Sequence, residues 1–279
     1  MSGAADQNSP GTVSVIIPTR NRADSCVRAI ESALAQTLPP LEVIVCDDFS
    51  TDDTEATISA MSAADERIRY FRRTDGPRGP GATRNHAVQE ARGEFVAFLD
   101  DDDEWLAEKL QRQIPAVITS PGLICSNACR TSGGLYFDDE TDHPIARREI
   151  LEHNPIILST VIIGRPLLLD AGGFTSSTRL GGIADYELWL RLSDRGVRMV
   201  RIGEPLALYA DSDGGRMSSR EARMSLGLFE VLLVRALRSP TDFLLARKAF
   251  STLVIAVKQS LSRPRADRAG NGTSRTDRD

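Results

Sequence analysis

Aromatic side chains make up only 5% of the 279 residues, and cysteine occurs four times, as Cys26, Cys46, Cys125 and Cys129. None of the four forms a C-x-x-C pair or a Cys/His spacing suited to zinc, so reduced, packed thiols of a cytoplasmic protein are expected. Positive charge is not in surplus either. Lys+Arg number 34 against 39 Asp+Glu, a net of −5, which argues against a dedicated nucleic-acid binder. No uncharged apolar run approaches the roughly 20 residues needed to span a bilayer. Met1 to Gly11 lacks the basic-then-apolar order of a secretory signal. A G-x-x-x-x-G-K-[ST] string is missing, and no G-x-G-x-x-G follows the first apolar run, so P-loop and nicotinamide-binding Rossmann enzymes are disfavoured. What the chain does have is 41% hydrophobic residues, enough for the core of one large α/β domain or two small ones.

The first hundred residues alternate β-branched runs with helical periodicity, the pattern of a parallel sheet covered by helices. Val13 to Ile17, Leu41 to Cys46, Ile68 to Phe71 and Phe95 to Leu99 read as strands. Ala23, Cys26, Val27, Ile30, Ala33 and Leu34 share one helical face. Asp52 with Glu55 marks a second helix start, and Ala82 to Ala91 reads as a third helix after a Gly/Pro loop from Gly76 to Gly81. From Leu123 to about Leu158 periodicity is weak, with turns at Gly133, Gly134 and Asp138 to Asp142. Thr160 to Ile163 then reads as a strand, Arg165 to Ala171 as a short helix, Asp185 to Arg195 as a helix with Gly196 beyond its end, and Val197 to Ile202 as a strand.

Phe95 to Leu99 is nearly all apolar and runs straight into Asp100, Asp101, Asp102 and Asp103. In an open parallel sheet, ligands bind beyond the carboxyl ends of the strands, which is where Thr19, Asp47, Asp48 and this aspartate run all fall. Adjacent carboxylates at the end of a buried strand repel one another unless a cation neutralises them. Hard oxygen donors suit Mg2+ or Mn2+ bridging to a phosphate. Arg84, at the start of the helix after the Gly-rich loop, can meet a nucleotide diphosphate with its guanidinium and the helix dipole.

Five strings in series, VSVIIPTRNR (Val13 to Arg22), EVIVCDDFSTDDT (Glu42 to Thr54), GATRNHAVQEARGEFVAFLDDDDEW (Gly81 to Trp105), DAGGF (Asp170 to Phe174) and DYELWLRL (Asp185 to Leu192), resemble family 2 glycosyltransferases of the GT-A fold. The resemblance spans Val13 to Gly203. It implies an α/β fold of GT-A type, a Rossmann-like nucleotide-diphospho-sugar transferase with a mixed central sheet and a helical C-terminal appendage. It further implies that Pro18, Thr19, Arg20 and Asn21 edge the nucleotide pocket, that the Asp47/Asp48 pair recognises the nucleobase, and that Arg84 helps hold the nucleotide. Asp100, Asp101 and Asp102 overlay the D-x-D motif, with Asp100 and Asp101 near the nucleotide and Asp100 and Asp102 toward the metal; Asp103 supports them. Asp185 matches the catalytic base. The chemistry implied is metal-dependent, inverting transfer of a sugar from a nucleotide-sugar donor to a carbohydrate or lipid-linked acceptor, as in the building of a cell-surface polysaccharide or glycolipid.

Two departures from the family pattern stand out. Ala184 precedes Asp185 where the family usually has Glu, so a supporting carboxylate is missing. The region where many relatives carry a metal-completing histidine reads YADSDGGRMS from Tyr209, leaving Asp211 or Asp213 as substitute ligands. His86, His143 and His153 assemble into no ligand spacing. Two other functions stay open: a sugar-phosphate nucleotidyltransferase, whose usual Gly-rich basic loop is not matched by Pro18 to Asn21, and a non-catalytic module that binds the nucleotide sugar.

The expected organisation is a disordered segment 1–12, a GT-A domain 13–218 with a nucleotide-binding half 13–105 and an acceptor half 106–218, amphipathic helices 219–262, and a disordered tail 263–279. The helices carry Arg235, Arg238, Arg247, Lys248 and Lys258 among apolar residues. Either they pack on the catalytic domain or form a homodimer contact, or residues 224–262 lie on an anionic membrane surface near a lipid-linked acceptor, at its inner, cytoplasmic face.

Overall fold

The computed structural model describes residues 11–177, 180, 182–211 and 217–261. The tail expected over 263–279 and residues 1–10 of the expected N-terminal segment lie outside the described residues. Gly11 and Thr12, by contrast, are tied down: the Gly11 N–H donates to Glu94 Oε2 at 3.0 Å and the Phe95 N–H to the Thr12 carbonyl at 3.0 Å. The chain divides into two compact units, 1–213 and 214–279, a few residues before the boundary expected at 218.

In the first unit the elements run β1 Val13–Thr19, α1 Ala23–Leu34, β2 Glu42–Asp47, α2 Thr54–Ala64, β3 Ile68–Arg72, α3 Pro80–Glu90, β4 Phe95–Phe98, β5 Glu104–Trp105, α4 Lys109–Thr119, β6 Leu123–Arg130, β7 His143–Pro144 and α5 Arg147–Glu152. A 3-10 turn at Leu158–Thr160 leads into β8 Ile162–Gly164, α6 Arg165–Asp170, α7 Ala184–Asp194 and β9 Met199–Tyr209. One sheet takes them in the order β3-β2-β1-β4-β8-β6-β9-β5, with β7 also on β9. The strands β3, β2, β1 and β4 are mutually parallel; β8 is antiparallel to both β4 and β6.

The parallel half follows from composition. Every residue of β1 and β2 is buried, as befits strands covered on both faces. That burial includes Glu42, whose Oε1 accepts from Ser14 Oγ (2.6 Å) and the Arg92 N–H (2.7 Å) and whose Oε2 accepts from Arg69 Nη1 (2.7 Å). Burial alone would raise its pKa; these hydrogen bonds outweigh it and hold the carboxyl below its ordinary value.

The second half differs from the sequence expectation in three places. Helix α4 covers a stretch for which no element is expected: it accommodates Pro115 in its interior, and its buried stripe adds Lys109 and Gln113 to Leu110, Ile114 and Val117. Lys109 is fully buried, donates from Nζ to Gln113 Oε1 at 2.6 Å and lies 4.1 Å from the centre of the Trp105 ring. Strand β6 is buried from Leu123 to Ala128, and its Asn127 bonds both backbone groups of Phe137, at 2.8 and 3.0 Å. Strand β9 runs on to Tyr209 instead of ending at Ile202. Its register against β6 shifts after Ser126/Ile202, at the Gly203 to Pro205 stretch that reads as a break. A Cβ at Gly203 would collide with the Glu140 carbonyl, so the glycine serves a close approach of backbone to backbone.

The second unit contains α8 Met217–Arg238 and α9 Phe243–Leu261, which pack against each other. Leu232, Leu245, Ala249 and Ala256 are buried, whereas Leu237, Phe243 and Phe250 are exposed. Among the described residues no helix is long and apolar enough to cross a membrane.

Candidate active site

Strands β1, β2 and β4 deliver their carboxyl ends to one place. Thr19, the last residue of β1, donates from Oγ1 to Asp101 Oδ2 at 2.8 Å. Arg22 donates from Nη1 to Asp101 Oδ1 at 3.0 Å and also pairs with Asp102. Arg84 pairs with Asp100. Below them the turn before β8 supplies Ser159, whose Oγ accepts the Asp100 N–H at 3.0 Å and donates to Asp103 Oδ2 at 2.5 Å; the Ala210 N–H closes the Asp103 carboxylate at 2.8 Å. The aspartate run therefore splits. Asp101 and Asp103 are buried, and burial pushes both pKa values up, that of Asp103 to about 7. The Asp100 and Asp102 side chains keep 34% and 43% of their surface.

Asp47 and Asp48 are turned into the protein. Asp47 accepts from the Ser50 N–H (2.8 Å) and the Tyr70 hydroxyl (2.7 Å), Asp48 from Arg73 Nη1 (3.0 Å) and the Gly79 N–H (2.8 Å). With 0% of Asp47 exposed and 6% of Asp48, only Asp48 retains any surface for a ligand. Asp48 also occupies the N–H of Gly79, the residue that caps α3, so that helix end already holds a carboxylate. Pro18 is buried in β1, and Arg20 is exposed. Asn21 sits at φ 53° with its Oδ1 accepting the Thr51 N–H at 2.7 Å, which joins the turn after β1 to the turn after β2. Phe49, at φ 63°, is held in the left-handed region with the Arg78 guanidinium 4.4 Å from its ring centre.

Arg84 lies in the second turn of α3 and is nearly buried, its guanidinium carbon 5.5 Å from the Phe174 ring centre. Its neighbour Asn85 bonds the backbone of Phe174. From α7, Arg191 pairs with the Ala171 carbonyl and donates to that of Gly173 at 2.6 Å. The three sequence strings centred on Arg84, Gly173 and Arg191 are thus one structural unit.

Asp185 lies in the first turn of α7, half-buried, and burial raises its pKa, with Arg84 and the Tyr186 N–H acting the other way and Asp100 adding to the rise. Ala184 is 2% exposed and packs toward the start of α3, where a Cβ on Gly81 would come within 3.3 Å of its own. A donor from an unanticipated segment, Asn154 Nδ2, lies 3.4 Å from Asp185 Oδ2. Arg22, Ser159, Arg73 and Asn154 all touch the expected site residues. Only Arg22, at the end of the first motif string, carries a signal in the sequence; the others depend on chain segments far apart.

Among the described residues no three His, Cys, Asp or Glu side chains converge as a ready metal cage. Asp211 is engaged elsewhere, capping the turn at Thr131 (2.8 Å) and the Ser132 N–H (3.0 Å), and Asp213 lies outside the described residues. Asp100 and Asp102, each paired with an arginine yet partly exposed, have the oxygen chemistry to fit Mg2+ or Mn2+ in the manner of an ion held by one or two carboxylates and completed by substrate phosphates.

The family model described as "Glycosyl transferase family 2" matches residues 14–169. The chain is 32% identical over 188 residues to the UDP-Glc:alpha-D-GlcNAc-diphosphoundecaprenol beta-1,3-glucosyltransferase WfaP of Escherichia coli, covering 67% of this chain and 72% of that one. It is 31% identical over 201 residues to the putative teichuronic acid biosynthesis glycosyltransferase TuaG of Bacillus subtilis, covering 71% and 78%. A Campylobacter jejuni GalNAc(5)-diNAcBac-PP-undecaprenol beta-1,3-glucosyltransferase is 44% identical over 98 residues, but these span only 35% of this chain and 32% of that longer protein. In fold, S. aureus TarS residues 1–349 in complex with UDP-GlcNAc superimposes with a TM-score of 0.66 at 22% identity, over 92% of this chain and 74% of that one. The Pyrobaculum calidifontis mannosyltransferase PcManGT with GDP-Man and Mn2+ does so at 0.64 and 20%, over 91% and 75%. With the aspartate run at the carboxyl end of β4 and the α3, Gly173 and α7 strings locked together beside it, the chain belongs to the family 2 glycosyltransferases and has their GT-A fold.

Proposed function

We propose that this enzyme transfers a sugar, with inversion and with a divalent ion, from a nucleotide-sugar donor to a saccharide on a lipid diphosphate, in the building of a cell-surface polysaccharide or glycolipid. The observation that supports the reading is that α7 begins against the start of α3, where Ala184 meets Gly81, so that Asp185 lies beside the helix whose Arg84 pairs with Asp100. The acceptor class is supported by the name of the E. coli relative, and the polysaccharide context by that of the B. subtilis relative.

In this mechanism Asp185 takes the proton of the acceptor hydroxyl as its oxygen attacks the anomeric carbon. The bond from that carbon to the diphosphate breaks, and the leaving nucleoside diphosphate keeps the electron pair. One displacement from the face opposite the leaving group inverts the centre. Burial favours a base that is ready to hold a proton, because it disfavours the carboxylate form. Mg2+ or Mn2+ at Asp100 and Asp102 supplies, when bound, the positive charge that stabilises the departing diphosphate. Thr19 and Arg22 hold Asp101, and Ser159 holds Asp103, so the buried members of the run keep the accessible ones in place.

The test is a thermal titration with UDP, GDP, dTDP and CDP, each with and without Mn2+, on wild type and Asp102→Ala. A ligand at about a hundred times its Kd adds about 2.7 kcal/mol of stability. Stabilisation by one nucleotide that requires Mn2+ and vanishes in Asp102→Ala identifies the donor class. If none of the four stabilises the protein in either state, the donor reading fails.

A further inference from the structure

The amide of Asn154 is oriented from both ends. Its Oδ1 accepts the Ile156 N–H at 3.3 Å, which turns Nδ2 toward Asp185 Oδ2 at 3.4 Å. The flipped amide would lose the first bond and set oxygen against carboxylate. The segment that carries Asn154 is fastened to α7 without it. Tyr186, the residue after Asp185, donates its hydroxyl to the Ile150 carbonyl at 2.5 Å, and Ile150, Leu151 and Ile156 are buried. Attachment of the segment is therefore met by Tyr186 and by apolar packing; what Asn154 adds is a fixed donor beside one oxygen of Asp185. Residue 184 supplies no such group, since Ala184 is packed toward the first turn of α3.

We propose that Asn154 is a positioning residue for the transfer, holding Asp185 Oδ2 so that Oδ1 is presented to the acceptor hydroxyl. The inference rests on the reading of Asp185 as the base. The proton passes from the acceptor oxygen to Asp185 Oδ1, and Asn154 keeps both of its own protons throughout. The other groups that face Asp185 are Arg84 from α3, Asp100 from the end of β4 and the Tyr186 N–H from α7 itself. Arg84 attracts and Asp100 repels the carboxylate, and the backbone N–H groups of Tyr186 and Asp185 belong to the same helix turn, so Asn154 is the neutral side-chain donor that reaches Asp185 from another segment.

Three variants test the inference: Asn154→Ala, Asn154→Asp and Asp185→Asn. Asn154→Asp is nearly isosteric and keeps an oxygen for the Ile156 N–H, but it replaces the donor by a second carboxylate. With UDP-glucose and a synthetic GlcNAc-diphospholipid, kcat falls about 10- to 100-fold in Asn154→Ala and further in Asn154→Asp, the donor KM stays within about twofold, and melting temperatures hold. A structural role predicts the opposite order, with Asn154→Asp the milder change, and that order overturns the inference. A second measurement needs no substrate. In protein labelled with 13C at aspartate carboxyls, the Asp185 resonance is the one lost in Asp185→Asn, and its titration midpoint rises in Asn154→Ala, because a donor to the charged form has gone. An unmoved midpoint overturns the inference even where these substrates give no turnover. Wild-type turnover in Asp185→Asn removes the base reading instead, a result distinct from either of the others.

Discussion

Asn85 and Phe174 are joined by two hydrogen bonds of 2.8 Å, Nδ2 to the Phe174 carbonyl and the Phe174 N–H to Oδ1, so that one side chain of α3 takes the place a neighbouring strand would fill. The contact is tight: a Cβ on Gly173 would collide with Asn85 Oδ1, and Gly173 sits at φ 63°. Phe174 in turn packs edge-on to Phe98, at 5.1 Å between ring centres, two residues before Asp100.

Asn85→Ala strands a backbone donor and a backbone acceptor together. It lowers stability by about 2–6 kcal/mol, since each of the two unpaired buried groups costs about 1–3 kcal/mol. Asn85→Asp keeps the acceptor, loses the donor and falls between the two. Urea midpoints at constant slope check the order.

Ala184→Glu does not improve the enzyme, although it restores the residue the family usually has. Ala184 is 2% exposed and faces the start of α3, where even a Cβ on Gly81 would come within 3.3 Å of its own, so little room exists for a longer side chain. Overpacking costs about 1–3 kcal/mol. The variant melts lower than wild type and turns over no faster; faster turnover at unchanged stability would show that residue 184 reaches the site.

Lys109 gives a pH signature. Burial lowers its folded pKa to about 7 from the ordinary lysine value of 10.5. Between these values the unfolded chain holds a proton that the folded chain does not, so stability rises with pH across that window; below about 7 both states are protonated and the dependence stops. The stability difference between wild type and Lys109→Met therefore moves toward wild type from pH 7 to pH 10, by at most about 1.4 kcal/mol per pH unit, and is level from pH 5 to 6.5. Denaturation of both proteins at matched pH values measures it.

The membrane reading of α8 and α9 makes its own demand. Phe243 and Phe250 are 83% and 69% exposed. On vesicles of phosphatidylglycerol and phosphatidylcholine the wild type co-sediments, and added salt weakens the binding. The double variant Phe243→Ser with Phe250→Ser binds several-fold less while melting at the same temperature. Equal binding of the two proteins sinks the membrane reading.

The parallel half of the sheet was legible because its strands are written in apolar letters, and the aspartate run because four carboxylates follow one of them. Helix α4 was not, since Pro115 interrupts its apolar face of Leu110, Ile114 and Val117, and two further positions of the buried stripe are Lys109 and Gln113, satisfied by each other. Strand β6 hid for a similar reason: Ser126 and Asn127 look like turn residues until Thr160 and Phe137 arrive to bond them. Asp185 could be proposed from its string alone. Asn154 could not, because the pairing that gives it meaning joins two segments of unlike pattern and appears only when the chain is folded.

The antiparallel strand β8 has only three residues, yet it is the partner that covers the free edge of β4 and links the two halves of the sheet. During synthesis the sequence of β4 leaves the ribosome well before that of β8, an interval of several seconds at about 5–20 residues per second. Throughout it Phe95–Phe98 presents an apolar strand with one unpaired edge, the geometry that recruits other chains. The nascent parallel half of the sheet is therefore an aggregation hazard in its own right, and a chain truncated ahead of Ile162 is expected in the insoluble fraction on expression.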